Sequence, residues 1–272
     1  MTAAAPIGVF DSGIGGLTVV RELRRQLPAE DILYFGDTAR VPYGPKSPET
    51  VRRYSREIAS FLLTRGVKAV VVACNTATAH ALPTLEAELP VPVIGVVSPG
   101  ARAAVRTAAS RTPGGGGIGV IGTVGTVRSG AYERAIAALA PHANVTAHAC
   151  PLFVPFVEEG WTRHPATQLV AEEYLAPFRE ADVGTLVLGC THYPQLKPVI
   201  ADVLGPDIRL IDSAHETAAQ TRAVLDAAHL AADPGRTGTA HYVVSDAPDH
   251  FAHTARHFLG APLQHVETLT LG

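Results

Sequence analysis

Ala69-Val70-Val71-Val72-Ala73-Cys74-Asn75-Thr76 opens as an unbroken apolar run and closes on a thiol followed by two polar side chains. From Thr78 to Glu88 the composition and periodicity turn helical. A five-residue apolar run flanked in this way reads as a strand buried on both faces, as in parallel sheets. Working outward, the same unit recurs. Ile7–Phe10, Ile32–Phe35 and Val93–Val97 are further apolar runs, with helical patterns at Leu17–Gln26 and Ser47–Thr64. A second series follows at Ile118–Ile121, Val145–Ala149, Leu186–Gly189 and Ile208–Ile211, with helices near Gly130–Ala140, Ala166–Arg179 and Leu196–Leu204. This alternation predicts an α/β protein with mostly parallel sheets.

The two series echo each other. Gly8-Val9-Phe10-Asp11-Ser12 opens the first and Gly119-Val120-Ile121-Gly122-Thr123 the second, while Val71-Val72-Ala73-Cys74-Asn75-Thr76 is answered by Val187-Leu188-Gly189-Cys190-Thr191-His192. The expectation is two half-size α/β domains facing each other across a cleft. Residues 1–98 with 212–272 form the first and 99–211 the second, and Ser98-Pro99-Gly100 is the first crossing. Arg111–Gly117, with four consecutive glycines, reads as a surface loop, since it lacks the Lys and Ser/Thr of a phosphate cradle. Beyond Asp212 the chain predicts a helix, a strand at His241–Ser245 and a last helix ending at Leu259.

Composition removes several function classes. The 272 residues are 47% hydrophobic and 17% charged, a globular balance rather than a disordered one. A net charge of −3 gives no support to nucleic-acid binding. No run of apolar residues is long enough to span a membrane, and Met1–Phe10 has no basic leader region, so a cytoplasmic location is expected. Three widely spaced cysteines fit reduced thiols better than a disulfide framework.

Two of those thiols sit where chemistry is expected. Ligand sites in open α/β sheets form at the carboxyl ends of strands, and a helix start there suits a carboxylate and favours a thiolate. Cys74 and Cys190 both end a strand, and Asn75, Thr76 and Thr191 follow as hydrogen-bonding or capping groups. Cys150, before Pro151 in a plain apolar run, reads as packing. Two thiols on opposite sides of one carbon would remove a proton from one face and return one to the other, inverting the centre. Such a pair must be held in opposite protonation states by its neighbours. Asp11 and His192 are candidates for that work; a helix cap and a satisfied core histidine are their structural alternatives.

The string Gly8-Val9-Phe10-Asp11-Ser12-Gly13-Ile14-Gly15-Gly16-Leu17-Thr18 resembles the opening of bacterial glutamate racemases. So do Phe35-Gly36-Asp37-Thr38 with Pro42-Tyr43-Gly44, Ala73-Cys74-Asn75-Thr76-Ala77, Ile121-Gly122-Thr123 and Leu188-Gly189-Cys190-Thr191-His192-Tyr193-Pro194. The resemblance implies two pseudo-symmetric α/β domains, a buried substrate between them, no cofactor, and supply of D-glutamate for peptidoglycan. It implies Cys74 and Cys190 as the two bases, Asp11 and His192 as their assistants, and help from Glu158. Ser12, Tyr43, Gly44, Asn75, Thr76, Thr123 and Thr191, with Asp11 and His192, are then the expected substrate contacts. The family usually carries alanine where this chain has Gly125, a departure expected to touch only local loop packing. A homodimer is left open, and no nucleic-acid or membrane partner is expected.

Other readings stand beside this one. A pyridoxal-phosphate enzyme needs a Schiff-base lysine, and Lys46, Lys68 and Lys197 occupy a Pro/Gly loop, a strand start and a helix next to Pro198. His250, His253 and His257 share one helix face, but no carboxylate one turn from them makes a known metal-ligand pattern. An aspartate or hydantoin racemase, a decarboxylase needing one thiol, and a two-lobed carboxylate-binding protein remain.

Overall fold

The computed structural model describes residues 2–110 and 116–271. Most of the glycine-rich stretch, Arg111 to Gly115, lies outside the described residues, and Gly117 already belongs to a strand. The first sheet is built from β1 (Ile7–Asp11), β2 (Ile32–Gly36), β3 (Ala69–Val72), β4 (Val93–Gly95), β9 (Ala240–Val244) and β10 (Glu267–Thr268). They lie in the order β10-β9-β2-β1-β3-β4, every pair parallel. The second sheet takes β5 (Gly117–Gly122), β6 (Val145–Ala149), β7 (Val183–Gly189) and β8 (Arg209–Asp212) in the order β6-β5-β7-β8, again all parallel.

In each sheet the chain steps outward on one side of its first strand and then returns to the other. β1 therefore lies between β2 and β3, and β5 between β6 and β7. Such a reversal leaves a crevice at the carboxyl ends, where the flanking loops part in opposite directions. Asp11 ends β1, Cys74 follows β3, Thr123 follows β5 and Cys190 follows β7. The strand-end echo in the sequence is the sequence trace of these two crevices.

Helices cover the sheets where the apolar pattern requires. α1 (Leu17–Gln26) and α2 (Pro48–Thr64) have the lengths their periodicity gave. The start of α2 is fixed by Ser47, whose side chain accepts the Thr50 N–H at 3.3 Å, with Pro48 in the first helical position. α3 (Asn75–Glu88) starts three residues earlier than its periodicity suggests, because Cys74 caps it. Val97 is no strand residue: β4 stops at Gly95, and α4 (Val97–Ala109) begins at once. Ser98-Pro99-Gly100, read as a crossing, is the first turn of α4, where proline needs no N–H partner.

α5 (Val124–Arg128), α6 (Ala131–Leu139), α7 (Phe153–Glu158), α8 (Pro165–Glu180) and α9 (Lys197–Leu204) surround the second sheet. α10 (Ser213–Ala227) packs on both α1 and α4, and α11 (Pro248–Leu259) packs on α1. One apolar cluster runs through both halves, from Ile7 and Leu17 to Phe153 and Leu186. Among the described residues no helix is long and apolar enough to cross a membrane.

Candidate active site

The carboxyl ends of the two sheets meet at a small cavity. Cys74 and Cys190 both line it, each 6% exposed. Ser12, Tyr43, Gly44, Asn75, Thr76, Thr123, Thr191 and His192 line it too, so every expected contact except Asp11 reaches the cavity wall. Asp11 is fully buried one layer back. Val41, Pro42 and Val154 complete the lining; their plain apolar character gave no chemical signal in the sequence.

The β1–α1 loop brings Asp11 and Ser12 to the site. Asp11 Oδ1 accepts the Gly13 N–H at 3.0 Å, and Thr191 Oγ1 donates to Oδ2 at 3.4 Å, joining this loop to the loop after β7. The approach is close. A methyl group at Gly15 would overlap the Thr191 hydroxyl and the His192 ring, so only glycine fits there. Burial raises the Asp11 carboxyl above its usual range, with His192 and the loop N–H groups offsetting this in part.

Cys74 caps α3 itself, its Sγ accepting the Ala77 N–H at 3.4 Å, with Ser12 Oγ 3.8 Å away. The helix start was expected to make this thiol acidic. The structure reverses that: burial pushes Cys74 up to about 12, the Asp11 carboxylate adds to the effect, and the two hydrogen bonds recover only part. Cys74 is therefore a thiol at neutral pH.

Cys190 is different. No α-helix begins beside it; a short 3₁₀ turn, Tyr193–Leu196, separates it from α9. Its partner is a ring rather than a helix end. His192 Nδ1 lies 3.8 Å from Cys190 Sγ, and His192 Nε2 lies 3.0 Å from Glu158 Oε1 on α7. Burial alone would lower the histidine, but the Cys190 sulfur and the Glu158 carboxylate outweigh it and hold His192 up at about 10. The ring is an imidazolium at neutral pH, placed between a sulfur and a carboxylate. Cys150 is buried at the end of β6, outside the cavity.

The remaining contacts fall into two groups. Thr76 and Thr123 share a 2.8 Å hydrogen bond, and both also reach Thr126, so α3 and α5 meet through hydroxyls. Tyr43 donates its hydroxyl to Asp37. Asp37 also binds Arg40 at 2.8 Å and Ser245 at 3.0 Å. The Tyr43 hydroxyl is thus tied to the protein itself. Sequence reading missed this support, because Ser245 and the Arg40 partner Glu57 are remote in the chain. Gly125, expected to matter only locally, faces the rim: a methyl there would come within 2.7 Å of the Gly44 carbonyl oxygen.

Two facing α/β crevices that each carry a cysteine into one cavity define the class, and the chain belongs to the Asp/Glu/Hydantoin racemase family, whose profile matches residues 7–221. A glutamate racemase of Geobacter metallireducens is 53% identical over 97% of this chain and 96% of its own length. Among solved structures, a glutamate racemase isoform from Bacillus anthracis superposes with a TM-score of 0.93 at 42% identity, covering 98% of each chain. The Francisella tularensis glutamate racemase, solved in complex with D-glutamate, gives 0.91 at 38% identity, covering 99% of this chain and 98% of that one.

Proposed function

We propose that the protein is a glutamate racemase that interconverts L- and D-glutamate with two cysteine bases and no cofactor, and that its D-isomer feeds peptidoglycan synthesis in the cytoplasm. The observation that carries this reading is the single cavity lined by Cys74 from one sheet and Cys190 from the other. In one direction the thiolate takes the α-proton and the opposite thiol gives its own to the other face; the two sulfurs then exchange roles for the reverse direction. His192, backed by Glu158, stabilises negative charge on Cys190, while Asp11 and Ser12 serve the Cys74 side. Asn75, Thr76, Thr123 and Thr191 supply hydrogen bonds to an anionic substrate, and the 41–44 loop closes over it. The two domains are residues 1–98 with 212–272 and residues 99–211, working as opposed jaws. Sedimentation measurements decide between monomer and homodimer.

The test is a chiral assay across L-amino acids with nothing added. Glutamate is expected to exceed aspartate in kcat/KM by about 100-fold or more, because a shorter acid leaves polar groups of a dry site unpaired. Equal turnover of the two acids would move the assignment to a broader racemase. Binding without α-proton exchange would mark a carboxylate-binding protein.

A further inference from the structure

We propose that Tyr132 fixes the orientation of the Asn75 carboxamide, so that Asn75 presents its N–H donors rather than its oxygen to the substrate carboxylate; this rests on the glutamate reading above. Asn75 lines the cavity between the cysteines, and its two amide ends have nearly the same shape. Only a partner on one end can decide which faces the ligand. That partner is the Tyr132 hydroxyl on α6, which donates to Asn75 Oδ1 at 2.8 Å. With Oδ1 committed, Nδ2 is left buried and without a partner among the described residues. An unmet buried donor is costly, and one in a cavity wall marks a place a ligand acceptor completes.

The phenol has one proton to give, and its own surroundings direct it. Ser213, at the start of α10, lies beside the same phenol, where its polar side chain offsets part of the cost of burial. Burial raises the Tyr132 pKa, so the hydroxyl keeps its proton and stays the donor in its hydrogen bond to Asn75 Oδ1. The ring cannot slide. A methyl at Gly189 of β7 would stand 3.1 Å from the Tyr132 ring, and one at Gly100 of α4 would stand 3.2 Å from its oxygen. Tyr132 is 1% exposed and does not line the cavity, so it acts through Asn75 as a positioning residue.

Steady-state racemisation of both glutamate enantiomers by the wild type, Tyr132→Phe, Asn75→Ala and the double variant tests this. Phenylalanine keeps the ring that fills the space beside the two glycines. Tyr132→Phe is expected to raise KM about tenfold with kcat within about threefold, and Asn75→Ala to raise it at least as much. The double variant should match Asn75→Ala alone, since nothing is left to orient. An unchanged KM in Tyr132→Phe, or effects that multiply in the double variant, overturns the proposal. A wild type that racemises no glutamate contradicts the glutamate reading instead. For that case a readout without turnover remains: the Asn75 side-chain NH₂ resonances of ¹⁵N-labelled protein, identified by their loss in Asn75→Ala. They should move in Tyr132→Phe, and unmoved resonances overturn the proposal.

Discussion

Cys74 and Cys190 end equivalent strands yet meet opposite company. Cys74 faces a buried carboxyl and a hydroxyl and is held as a thiol; Cys190 faces an imidazolium backed by Glu158. The two walls of the cavity are therefore electrostatically unlike, a thiol beside a buried carboxyl on one and a cysteine beside an imidazolium on the other. Because L- and D-glutamate are equally stable in solution, kcat/KM must be the same for both at every pH. The asymmetry of the two walls can appear only in kcat and KM separately. His192 also leaves a mark on stability. A histidine titrates near 6.5 in an unfolded chain, and the fold raises this one to about 10. Its contribution is complete below about 6.5 and is lost as the pH rises through about 10. The urea midpoint of the wild type should therefore exceed that of His192→Asn most at about pH 6, with the gap closing towards about pH 10. A gap that stayed constant would mean the ring is neutral throughout. At this scale the sequence carried the cysteines, Asp11 and His192, because each follows an apolar run. It could not carry Tyr132, Ser213 or Ser245, whose neighbours are fixed only by tertiary packing.

The helices and loops decide how closely the two halves meet. The strands other than β10 were legible to within a few residues, since continuous apolar runs leave little choice; β10, two residues with no apolar run, was missed. α4 was not: Ser98-Pro99-Gly100 has turn composition, yet Pro99 falls in a first turn that tolerates it. α5 and α7 span only five and six residues, too short for periodicity to show. α5 nonetheless forms part of the rim through Thr123 and Gly125. Gly125→Ala adds helix propensity worth under about 1 kcal/mol, but its methyl must displace the Gly44 backbone, costing about 1–3 kcal/mol. We expect KM for glutamate to rise about tenfold, from a rim held apart, with little change in kcat. An unchanged KM would show that α5 shifts freely.

Across the whole molecule, two parallel sheets with matching chain reversals each bring one thiol to the same cavity. That architecture was readable from the alternation of strands and helices and from their echo; the closeness of the jaws was not, because it depends on glycines whose neighbours lie in the other half. The proposed two-thiol reaction needs nothing but the side chains of the site. Activity should survive exhaustive dialysis, a chelator and a carbonyl reagent, and should fall at least about 100-fold on thiol alkylation, with glutamate protecting. Loss to the chelator alone would point to a metal instead. The most direct measurement follows α-proton exchange in heavy water. In the wild type, deuterium should enter mainly the product enantiomer, because the proton taken by one sulfur stays there while the other delivers one from solvent. Cys74→Ala and Cys190→Ala should each lose racemisation in both directions by about 1,000-fold or more. Their residual exchange should be confined to one enantiomer, and to opposite enantiomers in the two variants. Exchange of both enantiomers by both variants, or full racemisation by either one, would contradict a base on each jaw.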